Sequence, residues 1–140
     1  MRVLALDLGT KTLGLAISDE GMMLSSPLTT LRYDNENYNY LLDELEKIID
    51  KYNIKVLVLG LPKNMDNSLG FASQRSLNFK KLLDERFNIK VELVDERLTT
   101  VEAQNILIQN NFKREKRKKV IDEYAAMIIL DTYLRMCNNE

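Results

Sequence analysis

The sequence predicts an α/β fold: a mixed five-stranded sheet, part antiparallel meander and part parallel, with helices on both faces. Three observations carry that expectation. Short continuous apolar runs recur at Val3 to Leu6, Val56 to Leu59 and Val91 to Val94, as in strands buried on both faces of a parallel sheet. Leu13, Leu15 and Ile17 alternate with Gly14, Ala16 and Ser18, as in a strand folded back on its predecessor. Stretches with apolar residues at helical spacing separate the later runs.

Taken in order, the first strand covers Val3 to Leu6 and ends in Asp7, and Leu8-Gly9-Thr10-Lys11 reads as a turn. Leu13 to Ile17 is the second strand. A third covers Leu24 to Thr30, where Pro27, lacking an N–H, argues for an edge position. Leu41, Leu42, Leu45, Ile48, Ile49 and Tyr52 mark one face of a helix from Glu36 to Tyr52. Val56 to Leu59 is a strand stopped by Gly60-Leu61-Pro62, and a helix from Gly70 to Phe87 follows. Val91 to Val94 ends at Asp95-Glu96. Thr99 with Glu102 fits a capping box that opens a helix to about Gln109. Asn110 to Lys119 is polar and strongly basic. The last helix, from Val120 to Met136, is apolar on most sides and is expected to lie buried against the sheet. Open sheets of this kind bind ligands beyond the carboxyl ends of their parallel strands. Asp7, Gly60-Leu61-Pro62 and Asp95-Glu96 all stand there.

Composition narrows the chemistry. The 140 residues suit a single domain over 1–140, and 45% hydrophobic residues suffice for a core. No apolar run approaches the roughly 20 residues that span a bilayer, and the opening MRVLALDLG does not read as a signal peptide. A cytoplasmic protein without membrane association is expected. Cys137 is the only cysteine and there is no histidine. Internal disulfides, cysteine metal clusters, Ser-His-Asp and Cys-His catalysis, and histidine-rich zinc sites are therefore excluded. Carboxylates, lysines, hydroxyls and a bound metal remain. The net charge of −1 speaks against indiscriminate coating of nucleic acid but allows a local basic patch.

Three acids stand at the ends of elements that pack on one sheet: Asp7, Glu96 and Asp122. Each has a purely structural reading. Asp7 could cap its turn, Glu96 could pair with Arg97, and Asp122 could complement the dipole in the first turn of its helix. Together they form the one hydrolytic site this composition readily supports. Mg²⁺ and Mn²⁺ prefer oxygen ligands, and one or two such ions serve phosphodiester hydrolysis. Asp66 and Asp95 are reserves. Lys11, Lys63, Arg75 and Arg97 are candidates for phosphate contacts, each with a solvated or salt-bridged alternative. Lys113-Arg114-Glu115-Lys116-Arg117-Lys118-Lys119 has six basic residues in seven and leads into the helix of Asp122. Such runs are commonly solvated and mobile, yet this one suits contacts with a nucleic-acid backbone. Gly9 permits a tight turn or a close approach. Tyr33, Tyr38 and Tyr40 cluster but are not read as a base-stacking platform, because Tyr38 belongs with the first helix.

Four blocks carry a family resemblance: Asp7 to Gly14, Gly60 to Asp66, Asp95 to Ala103, and Val120-Ile121-Asp122 with Ala125-Ala126. In order and spacing they resemble the YqgF/RuvX family across essentially the whole chain. The resemblance implies the ribonuclease H-like fold of the RuvC resolvases, acidic metal ligands at Asp7, Glu96 and Asp122, and Mg²⁺ or Mn²⁺ as cofactor. It implies a nuclease acting on structured nucleic acid, with the 5′ end of pre-16S ribosomal RNA favoured and branched DNA as the alternative. Either a monomer or a homodimer is compatible with that role. Glu123 departs from the small or polar residue expected after Asp122, so the resemblance leaves either acid to face the site. In the family strand order the strand before Gly60 separates those of Asp7 and Glu96, leaving their backbones nearly 10 Å apart at about 4.8 Å per strand. Two other classes stay open. Asp7-x-Gly9-Thr10 with Gly14 also resembles a phosphate loop of the actin and sugar-kinase superfamily, whose members close two such domains on ATP. A non-catalytic RNA-binding ribosome-assembly factor would use the basic run alone.

Overall fold

A computed structural model describes residues 1–34, 36–62, 70–95 and 114–138, with the backbone alone over 114–122. The strands are β1 (Arg2–Leu8), β2 (Thr12–Ser18), β3 (Ser25–Arg32), β4 (Ile54–Leu61) and β5 (Lys90–Asp95). The helices are α1 (Tyr38–Tyr52), α2 (Phe71–Arg86) and α3 (Arg114–Asn138). The sheet order is β3-β2-β1-β4-β5. The first three strands form an antiparallel meander, and β4 and β5 add in parallel to β1. This is the mixed five-stranded sheet that the sequence predicts, and β4 does separate the strands that lead to Asp7 and Glu96.

Alternation along the strands builds two cores. Leu4, Leu6, Leu13, Leu15, Leu57 and Leu59 pack beneath α1 and α2 with Leu41, Leu45, Phe79 and Leu83. Val3, Ala5, Ala16, Val56, Val58 and Val94 pack on the other face against Ala126, Ile129, Leu130 and Leu134 of α3. The residues against α3 are smaller, so that helix lies close to the sheet. Each fully buried leucine or phenylalanine contributes about 1.5–3 kcal/mol from apolar burial.

β3 lies at the edge, as Pro27 requires. The register slips between Leu15 and Ala16, which oppose Thr29 and Pro27, so Leu28 is the extra residue of a bulge. The predicted start of the first helix at Glu36 is corrected by two residues. Glu36 adopts a left-handed φ of 56°, and Asn37 caps the helix by accepting from the Tyr40 N–H at 3.3 Å. Asn53, at φ 54°, closes it with an αL cap whose N–H donates to the Ile49 carbonyl.

The larger correction concerns the last helix. It begins at Arg114, six residues before the predicted start, so the basic segment from Arg114 to Lys119 forms its opening turns. Asp122 is then the ninth residue of α3, not a first-turn acid. The dipole effect is confined to the first turn, which removes the structural reading of Asp122. The predicted helix from Thr99 to Gln109 lies outside the described residues.

Candidate active site

Asp7 is half-buried and follows Val3 and Ala5 in the alternation of β1, so it faces α3. Its antiparallel partner is Gly14. On the other flank Leu6 pairs with Leu59, which brings Gly60 to the next step of β4. Both glycines are buried. Neither glycine places a side chain beside the carboxylate.

The orientation of α3 brings Asp122 to the same end. The Asn138 side-chain amide donates to the Met22 carbonyl at 3.2 Å, and the Ser25 hydroxyl donates to Asp131 at 2.7 Å. Those contacts fix the carboxyl end of α3 beside the β2–β3 hairpin, at the amino end of β1. The helix climbs about 24 Å from Asn138 to Asp122 at 1.5 Å per residue, whereas a seven-residue strand rises roughly 20 Å. Asp122 therefore stands level with the carboxyl end of β1. Glu123 precedes Leu130 by seven residues, so helical spacing puts it on the sheet-facing side. Glu123 is half-buried.

Two hydroxyls tie down the turns at this pole. The Tyr33 hydroxyl donates to the Gly9 carbonyl, and its N–H donates to the Lys11 carbonyl at 3.0 Å. The Ser73 hydroxyl of α2 donates to the Pro62 carbonyl after β4. Gly9 itself donates to the Thr12 carbonyl at 2.8 Å. A Cβ at Gly9 would meet Thr12 Oγ1 at 3.3 Å and its carbonyl at 3.4 Å. Gly9 thus stands where a Cβ would be tight against Thr12, and not at a positive φ.

Lys11 is exposed on this turn. Arg75, half-buried in α2, lies beside the Tyr33 and Tyr38 rings on the opposite face from α3. Among the described residues neither cation forms a salt bridge. Burial pushes Tyr33 up to about 12 and raises Tyr38, while the Arg75 guanidinium opposes both shifts. The reserve Asp95 is exposed and follows Val94, whose side chain meets α3, so Asp95 falls on the other face from Asp7. Glu96, Arg97, Lys63, Asp66 and Lys113 lie outside the described residues. So do the side chains of Arg114, Lys116, Arg117, Lys118, Lys119 and Asp122, of which the structure places only the backbone on α3. Among the described residues no group of three acids forms a metal cluster.

Sequence reasoning missed Tyr33 and Ser73. No motif marks Tyr33, because the carbonyl it reaches is 24 residues away. The tyrosine cluster is structural, as expected: Tyr33 packs on Tyr38 at 5.7 Å between centroids, and Tyr38 on Phe79 at 5.5 Å.

Comparison with known proteins follows the same lines. Residues 1–136 match the family model described as "RuvX: Holliday junction resolvase". The chain is 47% identical over 134 residues to a protein of Geobacillus sp. (strain WCH70) named "Putative pre-16S rRNA nuclease", covering 96% of this chain and 97% of that one. A protein of Lactobacillus acidophilus with the same name is 46% identical over 136 residues, covering 96% of each. Among solved structures, Thermus thermophilus RuvC in complex with a Holliday junction superposes with a TM-score of 0.63 at 12% identity, covering 98% and 96% of the two chains. The fowlpox virus Holliday junction resolvase gives 0.59 at 18%, covering 97% and 99%. At those identities the two structures establish the ribonuclease H-like fold alone. Sequence identity to full-length relatives and the family match over residues 1–136 together place this chain in the RuvX family.

Proposed function

We propose that this chain is a divalent-metal-dependent nuclease acting on structured nucleic acid, with the 5′ end of pre-16S rRNA as the favoured substrate. One observation carries the reading. Asp7 sits half-buried between two glycines at the carboxyl end of β1, on the face along which α3 delivers Asp122 to the same height. The names of the relatives at 45–47% identity support the substrate.

The donor set fits a hard cation. Gathering carboxylates at a half-buried position is costly without a compensating charge, and Mg²⁺ or Mn²⁺ takes oxygen ligands. Asp7, Glu96 and Asp122 would hold one or two ions. When bound, such an ion lowers the pKa of water and neutralises charge on the phosphodiester. Asp7 anchors the site from the rigid central strand. Lys11 presents its ammonium to the phosphate backbone from the adjoining turn. The basic turns of α3, from Arg114 to Lys119, approach the site from the other side and attract the substrate without reading its sequence. Lys63, Arg97 and Lys113 extend this set of phosphate contacts, whereas Arg75 lies on the α1/α2 face of the sheet, away from Asp7. In such a hydrolysis a water oxygen bonds to phosphorus in line with the P–O3′ bond, which breaks; the water gives up a proton, the leaving 3′ oxygen takes one up, and the products are a 5′-phosphate and a 3′-hydroxyl.

The test compares wild-type protein with Asp7→Asn, Asp122→Asn and Glu123→Gln on three labelled substrates: a precursor rRNA fragment, single-stranded RNA and a four-way DNA junction. Each is run with Mn²⁺, with Mg²⁺ and with EDTA. Metal-dependent cleavage should fall at least about a hundredfold in Asp7→Asn, more than supporting residues cost. The more damaging of the two α3 substitutions identifies the helix ligand. Preference for the junction would assign the DNA activity for which the family model is described. Binding without cleavage of any substrate would leave an assembly factor.

A further inference from the structure

The turn that follows Asp7 is held from outside by one residue. Tyr33 lies just past β3, yet it grips the turn at two points: its hydroxyl donates to the Gly9 carbonyl and its N–H to the Lys11 carbonyl. The ring is 4% exposed and is braced by Tyr38, which is braced in turn by Phe79 of α2. Gly9, clasped against Thr12, has little room to move. Only Leu8 separates Asp7 from this clasp. The β1–β2 pairing ends at Leu8 and Leu13, and beyond it the turn is closed by the Gly9 N–H to Thr12 carbonyl bond and held from outside by Tyr33.

We infer that Tyr33 is a positioning residue: through the Gly9 carbonyl it fixes the end of β1 so that Asp7 is presented in the geometry a divalent cation requires, and Lys11 in the geometry a phosphate requires. The inference rests on the nuclease reading above. Functional carboxylates must be held within about 0.5 Å, by groups whose own rotamers are locked by packing. Tyr33 meets that description, since burial fixes its ring and favours the neutral, donating hydroxyl. Partners behind a metal ligand are commonly worth about 10–100-fold in metal affinity or activity.

The experiment uses the full chain as wild type, Tyr33→Phe and Tyr40→Phe. Tyr33→Phe keeps the ring and removes the donor to Gly9. Tyr40→Phe removes an exposed hydroxyl of α1 and serves as the control, whereas the Tyr38 hydroxyl is hydrogen-bonded to that of Tyr33 and is left in place. Three quantities are measured: the thermal midpoint, Mn²⁺ affinity by direct titration without substrate, and kcat and KM on the substrate that the wild type cleaves. Tyr33→Phe should bind Mn²⁺ about tenfold more weakly and lose kcat similarly, with its melting point near that of wild type and Tyr40→Phe unchanged. A lower melting point with wild-type Mn²⁺ affinity and kcat would reduce Tyr33 to a structural role and overturn the inference. Equal losses in both variants would do the same. If Tyr33→Phe does not fold, Gly9→Ala, which presses a methyl against Thr12 in the same turn, should show the Mn²⁺ defect. Unaltered Mn²⁺ binding there overturns the inference. Wild-type protein that binds no Mn²⁺ and cleaves nothing fails at an earlier step and removes the nuclease reading, and the inference with it.

Discussion

Asp7 and Tyr33 show how single residues divide the work at this pole. The carboxylate is set by strand alternation, which any run of this composition would produce once β1 is central. The hydroxyl is set by packing between elements far apart in sequence. Burial carries Tyr33 up to about 12, whereas a tyrosine in the unfolded chain ionises near 10. The folded state therefore holds this proton more tightly. Its contribution to stability is complete below about pH 10 and is lost as pH rises through about 12. An absorbance-monitored titration should show one fewer late-ionising tyrosine in Tyr33→Phe than in wild type, Tyr133, which burial also pushes up to about 12, remaining in both. Identical titration curves for the two proteins would count against the buried, donating hydroxyl.

Among the elements, α3 departs furthest from expectation. Its apolar half seats Ala126, Ile129, Leu130 and Leu134 on the sheet, and its first turns carry Arg114, Lys116, Arg117, Lys118 and Lys119. Cations at a helix amino end oppose the macrodipole, at a typical cost of about 0.3–1 kcal/mol each near the terminus. The arrangement makes sense as an anion-binding feature. Replacing Lys116, Arg117, Lys118 and Lys119 by alanine should leave apo stability unchanged or higher. The same variant should bind RNA more weakly, with the slope of log affinity against log salt reduced by about 0.7–0.9 for each phosphate no longer neutralised. Binding measured across a salt series decides the matter, since an unchanged slope would mean that the segment is only solvated. α2 contributes differently: Phe79 is fully buried and supports Tyr38. Phe79→Ala should cost about 3–5 kcal/mol in denaturant unfolding, and a loss below about 1 kcal/mol would show that the core reorganises around it.

At the scale of the whole molecule, the fold places the Lys11 turn and Asp7 at one pole, and the β2–β3 hairpin at the other. Among the described residues no helix is long and apolar enough to cross a membrane. Acids brought together on one sheet repel one another, and a divalent ion that binds only the folded state relieves that repulsion. At a hundredfold excess over Kd, linkage gives about 2.7 kcal/mol, or roughly 10 °C in melting temperature for a chain of this size. Mn²⁺ should raise the wild-type midpoint by that order and have little effect on Asp7→Asn. Equal shifts in the two proteins would indicate ion binding elsewhere.

Much of this architecture is legible in the amino-acid sequence. Continuous apolar runs identify β1, β4 and β5, Pro27 identifies the edge strand, and the four blocks identify the family, because short-range patterning and spacing are written directly in the chain. Asp7 stands out because a carboxylate ending a buried strand is conspicuous. Other features depend on contacts that sequence distance conceals. The start of α3 is hidden because a run of lysines and arginines reads equally well as solvated coil, and only its continuity with a packed helix makes it helical. The exclusion of Asp95 requires knowing which face of β5 meets α3. The grip of Tyr33 on Gly9 requires β3 to return beside β2 and α1 to fold over the end of the sheet. Local pattern and residue type were thus enough to specify the strands and the family. That Asp7 and Asp95 lie on opposite faces of the sheet, and what holds the turn after Asp7, followed only from the folded chain, because both depend on register and on packing between residues distant in sequence.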